Sequence, residues 1–291
     1  MRLWTILVTG LLVAAAQLVG SAEARDQFNQ KEAVTVDAQK SYIFFRTRER
    51  LALQFLREVT AGEHAEWMAA RQQALAAAQQ RYERAAVRYR SEVEFCRDRP
   101  PPCVNLERPT PVTDENFAFA PAEADNFVAV SQGPQFTRTG ENEYTYLVAV
   151  PPGTYILYGQ IVIGGNGAAG VCLCMGSVRF QARAGQIMDL GEVRYPATDI
   201  VRRRSQAVPG VRPSAMEIVP YAAPMPRPDR LNGLAVIPAE FRATGKMPNY
   251  FGVLIDRHPA MPGVLRYERD RVIDDRTGGD PVSLIEAAGR Q

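Results

Sequence analysis

The chain has 291 residues, 46% hydrophobic and 23% charged, with a formal net charge of +2. That apolar share is enough to fill a core, which argues against global disorder, and the near-neutral charge offers no basic footprint for nucleic acid. The length suits one large β domain or two modest ones.

Residues 1–24 read as a secretory signal peptide. Arg2 precedes an apolar run from Leu3 to Val19, and Ala22 and Ala24 form an A-x-A cleavage site. The mature chain is expected to start near Arg25, outside the cytoplasm. No later run approaches the roughly 18–20 apolar residues that span a bilayer, so no transmembrane segment is expected after cleavage. The four cysteines are Cys96, Cys103, Cys172 and Cys174. An even count in an exported chain suggests disulfides. Cys96 and Cys103 bracket a stiff, proline-rich loop, so a local bridge is the simplest pairing. Cys172 and Cys174 form a Cys-x-Cys pair.

In chain order, the apolar runs Tyr42–Phe45 and Leu51–Leu56 flank a charged turn at Arg46–Arg50 and read as a β-hairpin. A helix is expected over 61–95. This stretch lacks proline, is rich in alanine, glutamine, arginine and glutamate, and opens with Thr60 and Glu63 as a capping box. Met68, Leu75, Tyr82 and Tyr89 recur every seven residues and mark a packing face. Ala65, Ala86 and Val93 are expected to widen it. The face packs on a sheet or meets another chain, which leaves a homo-oligomer through helix 61–95 open.

From 112 to 195 the pattern is β. Tyr144, Tyr146, Val148 and Val150 alternate. Pro151-Pro152-Gly153-Thr154 fits a type II turn, with Pro152 second and Gly153 third. Tyr155–Ile163 is apolar on both faces and reads as a central strand. A loop at Gly164–Gly170, a strand at Val171–Ala182 and a returning strand at Ile187–Tyr195 follow. Residues 196–230 are rich in proline and arginine and read as an extended segment. Residues 231–291 read as a C-terminal extension with short strands.

The run VAVPPGTYILYGQ at 148–160, followed by VRFQARAGQIMDLGEV at 178–193, resembles the transthyretin-like, or carboxypeptidase-regulatory-like, β-sandwich modules of secreted proteins. It is also similar to small domains of bacterial envelope proteins. The resemblance covers about 50 residues of turns and core positions. It implies a sandwich fold and a non-enzymatic role, and it brings no catalytic residue with it.

Gly165–Gly170 matches G-x-G-x-x-G, yet a β run follows where a dinucleotide site needs a helix N-terminus. Cys172 and Cys174 would share one strand face, about 6.6–6.8 Å apart, at the limit of disulfide reach. The chain's two histidines, His64 and His258, are far apart in sequence, which speaks against zinc. No G-x-S-x-G elbow exists. Asp274 and Asp275 read as solvated turn residues, and Arg202–Arg204 as a solvated loop.

The sequence therefore predicts an antiparallel β sandwich over 25–195 with one long inserted α-helix. It predicts no cofactor, no metal and no catalytic set. The expected function is an exported structural or binding protein of the bacterial cell envelope, meeting an envelope protein or polysaccharide. The alternative is a periplasmic thiol-redox protein using Cys172 and Cys174.

Overall fold

The computed structural model describes residues 26–97, 106–139, 143–165, 167–194, 217–219, 227–281 and 283. The expected signal peptide at 1–24, Cys103 and Arg202–Arg204 lie outside them. The protein is mainly β, with one long helix. The chain divides into two units, one containing Val59–Ala124 and the other Val19–Glu58 with Asp125–Gln291.

The second unit is a β sandwich. Its first sheet holds β1 (Ser41–Thr47), β4 (Thr137–Thr139), β5 (Glu143–Val150), β9 (Ile187–Arg194), β10 (Glu217–Val219) and β11 (Val236–Pro238). The order is β10–β9–β1–β5–β4, with β11 also paired to β9. Its second sheet holds β2 (Leu53–Arg57), β3 (Phe127–Val130), β6 (Gly153–Gly164), β7 (Gly167–Cys172), β8 (Ser177–Ala182), β12 (Arg242–Thr244) and β13 (Leu254–Ile255). The order is β12–β8–β6–β2–β3, with β7 on β6 and β13 on β7. A hairpin of β14 (Leu265–Glu268) and β15 (Arg271–Asp274) forms a separate two-stranded ladder whose Leu265 and Val272 join the central core. Most ladders are antiparallel; β1–β9, β11–β9 and β13–β7 are parallel.

Alternation explains the layers, because successive side chains leave opposite faces of a strand. Ile43 and Phe45 of β1 meet Leu53 and Phe55 of β2 in the central core. Tyr146 stacks on Phe45 at 5.0 Å, and Phe180 meets Phe55 edge-on at 6.1 Å. The other faces are apolar too. Tyr42, Phe44 and Leu147 pack under Leu231 and the flanking Phe28, Val34 and Leu234. Ile156, Tyr158 and Ile161 pack with Met247, Tyr250 and Phe251. This double cover is why Tyr155–Ile161 carries almost no polar alternation; Val162 and Ile163, at the end of β6, are apolar yet exposed. The C-terminal stretch that reads as an extension forms sheet edges and contributes to both of these covers.

The expected hairpin over 42–56 and the expected type II turn at 151–154 are both crossings between sheets. Residues 42–45 and 51–56 are strands, but β1 pairs with β5 and β9, whereas β2 pairs with β3 and β6. The chain crosses between sheets there, as it does from β5 to β6. Pro152 and Gly153 lie in that second crossing. Gly153 has φ +159° and is already in register with Ala182 of β8, so it is extended and not the third residue of a type II turn. Sequence alternation locates strands well and partners poorly, because inward-facing residues look alike in either sheet.

The expected loop at Gly164–Gly170 is mostly ladder, since β6 pairs with β7 from Gly159–Cys172 to Gly164–Gly167. Glycine is required inside this ladder. A Cβ on Gly159 would strike the Val171 carbonyl oxygen, and one on Gly170 would strike that of Gln160. Gly159→Ala should therefore cost about 1–3 kcal/mol through a backbone clash that no rotamer relieves. A melting temperature equal to that of the parent would refute this.

The first unit is α1 (Ala61–Cys96) with the return segment 106–124. Thr60 and Glu63 form the expected capping box: the Glu63 amide donates to the Thr60 hydroxyl at 3.2 Å, and the Thr60 amide donates to Glu63 at 2.8 Å. At about 1.5 Å per residue the helix is roughly 54 Å long. The return segment runs antiparallel along it. Trp67 Nε1 donates to the Ala120 carbonyl at 2.8 Å, Arg71 pairs with Asp114 at 2.6 Å, and Gln79 reaches the Val112 carbonyl at 3.4 Å. Met68, Leu75, Tyr82 and Tyr89 are half-buried. Ala65 and Val93 do not widen their stripe, because both are exposed; Trp67, Ala74 and the buried Ala78 do so instead.

Candidate functional site

The residues with the richest chemistry gather at the open side of the sandwich. A cleft of about 420 Å³ lies between the β8–β12 edge of one sheet and the β9–β11 edge of the other. Arg179, Arg183, Arg242 and Arg276 line it. Its apolar floor comprises Phe180, Met188, Ile237 and Pro238. Thr154, Gln181 and Glu240 complete the lining.

Strand geometry sets this arrangement. On β8, Val178, Phe180 and Ala182 face the core, so Arg179, Gln181 and the following Arg183 face outward. Arg242 arrives on β12, opposite Arg179 in the ladder. Arg179 pairs with Glu58 at 2.9 Å and Arg242 with Asp274 at 3.0 Å, which holds both guanidinium groups in place. Asp274 is buried, not solvated: it is 3% exposed and also accepts the Arg276 amide. Arg183 and Arg276 are exposed, and neither guanidinium pairs with a carboxylate among the described residues. Thr154 donates to Gln181 Oε1 at 2.9 Å. The lining has no histidine and no cysteine, and Glu240 is its single acid. Such a set can hold an anion by charge-assisted hydrogen bonds, but it lacks a paired nucleophile and base.

The predicted cysteine pair lies elsewhere. The sulfurs of Cys172 and Cys174 are in close contact, with Cα atoms 5.1 Å apart. The expected 6.6–6.8 Å assumed one continuous strand. Instead β7 ends at Cys172 and the chain turns before β8, which brings the pair well inside disulfide reach. The segment after Met247 closes over it: the Met247 amide donates to the Cys174 carbonyl at 2.9 Å and the Asp256 amide to that of Cys172 at 2.8 Å. Tyr158 donates to the Pro248 carbonyl at 2.8 Å and accepts the Tyr250 amide at 2.9 Å. Burial pushes the Tyr158 phenol up to about 12, because the phenolate would lose its hydration. Cys172 is 0% and Cys174 2% exposed. Cys96 is in a disulfide.

A double Cys172→Ala, Cys174→Ala variant should lose only about 1–2 kcal/mol, since closing so short a loop restricts the unfolded chain little. Urea denaturation measures this. The parent should also keep its bridge in reductant until it unfolds.

The two histidines belong to different units. His64 lies in the helix unit, its ring 5.8 Å from that of Trp67, and His258 is buried in the sandwich unit. No group of three metal-ligating side chains occurs among the described residues. No described helix is long and apolar enough to cross a membrane.

The arginine cleft escaped the sequence reading. Its one local signal is the outward alternation Arg179, Gln181, Arg183; Arg242 and Arg276 join only through the fold. No protein-family model, curated protein or solved structure matches the chain.

Proposed function

We propose that the protein is an exported, non-enzymatic binding module of the bacterial cell envelope, with the arginine-lined cleft as its ligand face. The cleft carries this reading: fixed and free guanidinium groups stand beside an apolar floor, with no nucleophile–base pair to do chemistry. Residues 1–24 support export by their signal-peptide pattern. Disulfides at Cys172–Cys174 and Cys96 suit an oxidising compartment. The resemblance at 148–193 is to modules of mostly non-enzymatic kind. Burial of the Cys172–Cys174 bridge favours a structural role over thiol-redox exchange, which needs an accessible sulfur.

The test is intact mass and cysteine mapping on protein recovered from fractionated cells. Export predicts a chain starting near Arg25 in the envelope fraction, with Cys96 linked to Cys103. A chain that retains Met1 in the cytoplasm would overturn the export reading.

The half-buried face of Met68, Leu75, Tyr82 and Tyr89 supports packing within the chain over a homo-oligomer. Leu75→Asp with Tyr82→Asp should lower the melting temperature equally at all protein concentrations, by burial losses of about 1 kcal/mol each, since both side chains are half-buried. A change in mass by light scattering with unchanged stability would assign the face to a second copy.

A further inference from the structure

We infer that the cleft between β8–β12 and β9–β11 binds an acidic saccharide, a sugar chain bearing carboxylate or phosphate groups. This deepens the binding reading of that cleft and does not depend on where the protein resides.

Arg183 and Arg276 bring exposed guanidinium groups with no carboxylate partner among the described residues, while Arg179 and Arg242 are held by Glu58 and Asp274. Against this the lining sets only Glu240, so the cleft is cationic. A guanidinium fork matches the oxygens of a carboxylate or phosphate in pairs, which makes the natural ligand an oxyanion.

Three features separate a sugar from other anions. First, the strands at the cleft offer no long free main-chain edge: β8 and β9 are flanked on both sides, and the bordering edge strands β11 and β12 are only three residues each. An acidic peptide adding as a strand would need such an edge. Second, the one aromatic in the lining, Phe180, is 1% exposed and offers no face to a nucleobase. Third, the Thr154 hydroxyl donates to Gln181 Oε1 beside the arginines, which leaves the Thr154 oxygen as an acceptor and the Gln181 amide nitrogen as a donor toward sugar hydroxyls. The half-buried Ile237 and the exposed Pro238 give a shallow apolar floor against which a sugar's C–H face can lie.

Calorimetric titration of the purified chain tests this with four probes: tetragalacturonate, mannose 6-phosphate, maltotetraose and hexaglutamate. Tetragalacturonate or mannose 6-phosphate, according to which acid the cleft prefers, should bind at least about tenfold more tightly than maltotetraose, with affinity falling as salt rises. Arg183→Ala with Arg276→Ala should weaken that binding by about tenfold or more at unchanged melting temperature. The corresponding double lysine variant keeps the charge, loses the fork and should fall between the two. Equal binding of maltotetraose, tighter binding of hexaglutamate, indifference to both double variants, or no binding of either acidic sugar at millimolar concentration would each overturn the inference. None of these outcomes bears on export, which mass and fractionation decide separately.

Discussion

Arg46→Met is expected to destabilise the sandwich by about 3–5 kcal/mol, the usual cost of stranding one member of a buried ion pair. One terminal nitrogen of Arg46 donates to both oxygens of Asp189, at 2.7 and 2.9 Å, and the two side chains are 8% and 9% exposed. They lie on parallel neighbours, β1 and β9, where the register shifts between Phe44 and Arg46. The extra residue on β9 is accommodated at Gly191, whose φ of +83° is a left-handed conformation that glycine adopts freely. Asp189 also accepts the Gly191 amide at 2.9 Å, so the carboxylate secures the bulge as well as the arginine. Removing Arg46 leaves that carboxylate buried, with Arg227 4.0 Å away as its nearest remaining cation among the described residues. At roughly 2–4 °C per kcal/mol for a chain of this size, the melting temperature should fall by roughly 6–20 °C. Arg46→Met combined with Asp189→Leu should recover much of the loss, because no uncompensated charge remains. A single variant that melts like the parent would show that the pair contributes nothing.

The same pair marks where sequence reading fell short. Arg46 stood in an apparent charged turn between two apolar runs, because a buried charge is visible only through its partner, and Asp189 lies 143 residues away. The local signals transferred well. The Thr60–Glu63 capping box works through contacts three residues apart, and the helix it opens runs where alanine-rich, proline-free sequence placed it. The strand at Tyr144–Val150 followed from alternation alone. What alternation does not encode is which sheet a strand joins, so one crossing between sheets looked like a hairpin and the other like a tight turn. The cleft was hidden for the same reason. Arg179 on β8 and Arg183 just after it stand out as an ordinary solvent face until β11 and β12, drawn from the C-terminal third, close around them. The cystine was legible as a pair, but its spacing was not, because the break after Cys172 is imposed by the closing segment 247–256.

His258 should make the protein acid-sensitive across a defined window. The residue is 1% exposed, and burial lowers its pKa from the ordinary 6.5 to about 4, since the imidazolium would lose its hydration. Its Nδ1 lies 2.7 Å from the Pro259 carbonyl oxygen, which can only accept, so the neutral ring carries its proton there. The surrounding backbone is pinned as well: the His258 amide donates to the Gly176 carbonyl at 2.8 Å, and Tyr267 donates to the His258 carbonyl at 2.6 Å. Because the folded pKa lies below the unfolded one, the unfolded chain binds more protons between pH 6.5 and 4. The histidine's contribution to stability is therefore complete above about pH 6.5 and falls progressively as pH drops toward 4. Over the whole window the loss amounts to about 3 kcal/mol. Urea denaturation at steps from pH 7 to pH 4 measures it, but carboxylates also begin to titrate near the lower end. The informative quantity is thus the difference from His258→Asn, whose amide nitrogen can replace Nδ1 as the donor but cannot take up a proton. The variant should be the less stable at pH 7 through imperfect packing, and the gap should narrow or reverse as pH approaches 4. Parallel stability curves for parent and variant would mean that His258 keeps an ordinary pKa in the folded state, and that the pocket formed by Gly176, Pro259 and Tyr267 admits enough water to solvate its charge.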